Sequence, residues 1–74
     1  MKGETTMTEP MRNNIKNSVV AKFNFYADEL PPREAYLRCL AFAYGVQVGS
    51  QDADLCNFTN TLLEEYRMKL VVNA

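Results

Sequence analysis

The sequence predicts a small, mainly α-helical domain of three segments, preceded by a disordered N-terminal tail and dimeric in its working state. Three observations predict it. Leu30-Pro31-Pro32 breaks the chain after a first apolar-periodic segment. Leu55, Phe58, Thr59, Leu62, Tyr66 and Leu70 recur at the period of a helix face. Between them, every residue from Ala35 to Tyr44 except Arg38 is apolar, more than one chain of 74 residues can cover.

Residues 1–12 read as the tail: Gly3, Glu4, Thr5, Thr6, Thr8, Glu9 and Pro10 offer little to bury. Residues 13–74 then form a single domain. Its first segment, about 13–30, satisfies two periods. Ile15, Val19, Phe23, Tyr26 and Leu30 make a helical stripe, whereas Val19, Ala21, Phe23 and Phe25 alternate with Lys22, Asn24 and Tyr26 as in a strand. Local propensity favours a strand over 19–26. The lack of a second strong strand to pair with favours a helix, and helix is the primary expectation.

Pro31 pushes Leu30 out of the helical region, and Pro32 or Arg33 opens the second helix, expected over 32–44 with Gly45 as its C-cap. Val46 to Gly49 then form a connector. Ser50 is the expected N-cap of a third helix over about 51–70, with Asp52 and Asp54 in its first turn, Arg67 and Lys69 near its end, and a Glu65–Lys69 pair on its face.

Composition excludes several chemistries. The chain has no histidine, hence no Ser-His or Cys-His nucleophile pair, no imidazole base and no histidine-containing zinc site. Cys39 and Cys56 are too few for a disulfide scaffold and are expected to be reduced. Asp52-Ala53-Asp54 opens like a calcium loop, but Asn57 and Leu63 stand where that loop needs Gly and Glu. Glu64 and Glu65 are adjacent on a helix and diverge, and three scattered glycines make no phosphate loop. No enzyme and no cofactor are expected. With no export signal and a longest apolar run of Cys39 to Tyr44, the expectation is a soluble cytoplasmic protein.

The net charge of −1 hides a division: residues 1–27 carry +2, residues 28–66 carry −5 and residues 67–74 carry +2. The acidic middle argues against a broad nucleic-acid surface. The apolar excess of the second helix points instead to a small interaction or regulatory protein that dimerises or docks on a protein partner. The expected interface residues are Tyr36, Leu40, Phe42 and Tyr44. A structural subunit of a larger assembly is a further expectation.

Lys22-Phe23-Asn24-Phe25-Tyr26, followed by Leu37, Leu40, Ala41 and Gly45, resembles the strand and first helix of the ribbon-helix-helix family of small dimeric repressors over about residues 20–70. That resemblance implies a DNA-binding dimer in which paired strands enter the major groove. Lys22, Asn24 and Tyr26 would face bases, and Arg12 and Lys16 would face phosphate.

Overall fold

The computed structural model describes residues 7–72, which form three α-helices: α1 (Glu9–Glu29), α2 (Pro32–Ser50) and α3 (Ala53–Arg67). A π-helical turn, Met68–Val72, follows directly. There is no strand among the described residues. The helical stripe of the first segment therefore prevails over its alternation. Val19 and Phe23 are fully buried, with Ile15, Tyr26 and Ala27 packed beside them, while Ala21 and Phe25 are left exposed. The ribbon-helix-helix resemblance loses the strand on which it depended, because Lys22 to Tyr26 lie within α1.

Each helix boundary has a local cause. α1 begins four residues before the expected start, at Glu9. The Thr8 hydroxyl accepts the Met11 N–H at 3.3 Å and Pro10 fits the first turn. Residues 9–12, expected in the tail, are thus helical; residues 1–6 lie outside the described residues. α1 stops at Leu30, which Pro31 holds extended at φ −120°, ψ 156°.

α2 does not end at Gly45. It continues through the expected connector to Ser50, and Gln51 takes the left-handed conformation at φ 51°, ψ 38°, its N–H bonded to the Gln47 carbonyl at 3.0 Å. A helical glycine costs only about 1 kcal/mol. The turns beyond it are held by tertiary contacts: Val46 packs on the core, and Gln47 Nε2 donates to Thr59 Oγ1 and Asn60 Oδ1, both at 2.8 Å.

The N-cap of α3 is Asp52 rather than Ser50. Asp52 Oδ1 accepts the Leu55 N–H at 3.0 Å, and Ser50 Oγ in turn accepts the Asp52 N–H at 3.3 Å. α3 is α-helical only to Arg67. The Met68 N–H is shared between the carbonyls of Glu64 and Glu65, four and three residues back, and the wider π-turn follows over Met68–Val72.

α2 lies at the centre, packed extensively against both α1 and α3, while α1 and α3 touch each other less. Its inner face is a seam of small residues, Ala35, Cys39 and Ala43, all fully buried. Over that seam Phe23 of α1 meets Tyr66 of α3 edge to face, with ring centroids 5.3 Å apart and an interplanar angle of 83°. The Tyr66 hydroxyl donates to Asn24 Oδ1, so its polar end is satisfied at the edge of the core. Buried Thr59 is satisfied as well: its hydroxyl donates to the Leu55 carbonyl at 2.8 Å and accepts from Gln47.

Two stability changes follow. Replacing Ala43 by Leu overfills the seam and should lower the unfolding free energy by about 1–3 kcal/mol. Replacing Gln51 by Gly removes left-handed strain and should raise it by about 0.5–1 kcal/mol. Urea midpoints at constant m-value measure both.

Candidate interaction surface

α2 sorts its apolar residues by size. The small ones face inward, so the large ones turn outward or to the flanks. Tyr36, Phe42 and Val46 are half-buried against the core edge. Leu37, Leu40, Tyr44 and Val48 are exposed by 59%, 42%, 68% and 54%. Leu37, Ala41, Tyr44 and Val48 follow one another at steps of four, three and four, the spacing of a single helix seam. Leu40 borders this seam on one side and Gly45 on the other. Beside Gly45 and Gly49 the surface is open: an added Cβ at either meets nothing within 4 Å. From Cys39 to Gln51 the helix carries no charged residue.

Of the four residues expected at an interface, Leu40 and Tyr44 stand on this outer face, while Tyr36 and Phe42 pack largely on the core edge. Leu37, Ala41 and Val48 complete the face. Reading the helix past Gly45 reveals Val48, and with it the stripe that joins Val48 to Tyr44, Ala41 and Leu37.

The residues expected to contact DNA are engaged within the domain. Arg12 Nη2 meets Asp52 Oδ2 at 2.9 Å, and Arg12 Nε lies 3.5 Å from Asp54 Oδ2. Lys16 Nζ meets Asp54 Oδ2 at 2.9 Å and lies 5.4 Å from the centre of the Phe58 ring. Lys22 Nζ sits 5.9 Å from the Phe25 ring centre and 5.8 Å from that of Tyr26, and Asn24 receives the Tyr66 hydroxyl. Arg12 and Lys16 of α1 thereby clasp the acidic start of α3.

The clasp sets the local titration. The Arg12 guanidinium, helped by the Leu55 N–H, holds the Asp52 carboxyl below the usual aspartate value, and Asp52 raises Arg12 in return. At the other end of α3, Arg67 lowers Glu64 through bonds of 2.6 and 3.2 Å. Among the described residues this pair, rather than Glu65–Lys69, is the ion pair on that face, and Lys69 Nζ lies 4.9 Å from the Tyr66 ring centre.

Cys39 and Cys56 are free thiols. Burial pushes Cys39 up to about 11, so it is a protonated packing residue near neutral pH. Its Sγ lies 4.0 Å from the Phe23 carbonyl. Among the described residues no helix is long and apolar enough to cross a membrane.

Comparison of the chain with protein-family models, with curated proteins and with solved structures finds no match.

Because the folded-state pKa of Asp52 is depressed, the stability it contributes is fully present above the unfolded aspartate pKa of about 4 and is lost as pH falls through the lower folded value. Asp52→Asn keeps a capping side chain but removes the charge. Urea titrations between pH 2 and 7, about the range over which carboxylates protonate, should show a flatter acid limb for this variant. An unchanged limb would mean that the clasp does not contribute.

Proposed function

We propose that this chain is a small non-enzymatic interaction protein that self-associates through the outer face of α2. The supporting observation is that face: a run of exposed apolar residues at seam spacing, without charge along its C-terminal two-thirds. A second copy is the occupant favoured by its size pattern. In an antiparallel pair about a two-fold axis between residues 42 and 43, Tyr44 faces Ala41 of the other copy and Leu37 faces Val48. Large side chains thus oppose small ones at the centre. Glu34 and Gln51 meet at the two ends and supply a polar rim. A parallel pair would instead set Tyr44 against Tyr44 and leave Ala41 against Ala41.

The area of one helix face lies at the small end of specific interfaces, so association in the region of about micromolar Kd is expected. A regulatory role follows from this reading: the protein acts by what it binds, and concentration sets its state.

Light scattering after size exclusion, across a dilution series, tests the reading. Ala41→Lys and Tyr44→Glu alter exposed positions, so each should leave the fold within about 0.5 kcal/mol while shifting the chain to monomer. Combining the two should restore the dimer, because position 41 faces position 44 of the other copy only in the antiparallel register. A wild-type chain that stays monomeric at about a hundred times the expected Kd would overturn self-association. A double variant no better than the singles would overturn the register.

A further inference from the structure

A second feature borders this face and shares Leu37 with it. Where the π-turn passes the start of α2, Arg33, Tyr36, Leu37, Arg67 and Val71 enclose a cleft of about 190 Å³. A shallower depression lined by Pro31, Pro32, Arg33, Leu70 and Val71 adjoins it and shares Arg33 and Val71 with it. The floor is apolar and the rim is cationic. Arg33 is exposed and makes no ion pair among the described residues. Arg67 gives Nε and Nη2 to Glu64, which leaves its Nη1 amine uncommitted among the described side chains. The start of α2 adds to the positive field. Pro31 provides no side-chain cap there, and the N–H groups of Arg33 and Glu34 have no helical acceptor.

Shape and charge together select the ligand class. A cavity of about 150 Å³ holds one benzene-sized group, so the cleft of about 190 Å³ fits one apolar side chain, and the adjoining depression of about 380 Å³ has room for the segment that carries it. The two guanidiniums beside the cleft fit carboxylates flanking that side chain. We propose that the cleft between the start of α2 and the C-terminal π-turn is a docking site for an acidic peptide segment of a partner protein, anchored by a single leucine-sized side chain. The segment lies along the adjoining depression, with its anchor in the cleft and its carboxylates on Arg33 and Arg67.

The test uses the full chain, labelled with nitrogen-15, titrated with the blocked peptide Glu-Glu-Leu-Glu-Glu. Two control peptides replace the leucine by alanine or the glutamates by lysines. Saturable amide shifts confined to the cleft residues are expected for the first peptide only. Arg33→Glu should weaken binding by at least about tenfold. It should leave thermal stability unchanged or slightly raised, since a carboxylate suits the first turn of a helix; for a merely structural Arg33 the substitution would lower the melting temperature instead. The monomeric Ala41→Lys variant, whose Leu37 no second copy covers, should bind the peptide at least as tightly as wild type, so loss of self-association and loss of this site are separately visible. Equal binding of the alanine peptide would reduce the site to charge attraction and overturn the proposal. So would shifts spread along Tyr44 and Val48 in the monomeric Ala41→Lys variant, or saturation of the cleft by octanoate with no response to the peptide.

Discussion

The inner seam of α2 is the constraint from which the rest of the molecule follows. One helix serves as the wall for two others, and it can do so only if both approach its axis closely. Ala35, Cys39 and Ala43 provide that approach, one turn apart and fully buried. The volume they leave is filled from the neighbours, by Val19 and Phe23 on α1 and by Leu63 and Tyr66 on α3. The edge-to-face contact of Phe23 and Tyr66 is therefore a consequence of the small seam. Large residues on the inner face of α2 would force its neighbours apart, and the chain has no fourth helix to fill the gap.

The ends of the bundle are held by different physics. Only two residues separate consecutive helices, so each turn depends on its own caps and on what crosses it. At one end, Arg12 and Lys16 reach across to Asp52 and Asp54. Asp52 does two things at once there: it caps α3 and pairs with α1. At the other end, Tyr66 is tied to Asn24 and lies beneath Lys69. Part of the charge division read from the sequence thus acts within the domain: Arg12 and Lys16 of the basic first segment pair with Asp52 and Asp54 of the acidic middle and hold α1 to α3.

How much of this was legible follows the strength of local signals. Pro31 and Pro32 mark a break that no tertiary contact reverses, and it stands where the sequence puts it. The face of α3 is equally plain, because its buried residues Leu55, Thr59, Leu63 and Tyr66 lie on or beside the stripe read from the sequence. Gly45 misled because glycine is a weak signal inside a helix: its cost of about 1 kcal/mol is smaller than the gain from packing Val46 and bonding Gln47 to α3. Stopping the helix there also hid Val48, and with it the continuity of the outer face. The first segment was ambiguous because Val and Phe suit both periods. Its resolution lay in contacts with α2 and α3 that no window of the sequence contains.

The sorting of α2 also explains why the exposed apolar face sits on the most central helix rather than on a peripheral one. A helix rich in large apolar residues and covered on one side only must place some of them in water. The sequence does not relieve this with charge; Cys39 to Gln51 is uncharged throughout. In a domain this small, folding stability is about 4 to 11 kcal/mol on the usual scale of about 0.05–0.15 kcal/mol per residue. Burying even Leu37, Tyr44 and Val48 against a second copy adds a term of comparable size, at roughly 25 cal/mol per Å² removed from water. Association of the kind proposed is then part of the folding equilibrium. The same residues that make the isolated domain marginal would make the assembled one firm, and the balance between them is set by concentration.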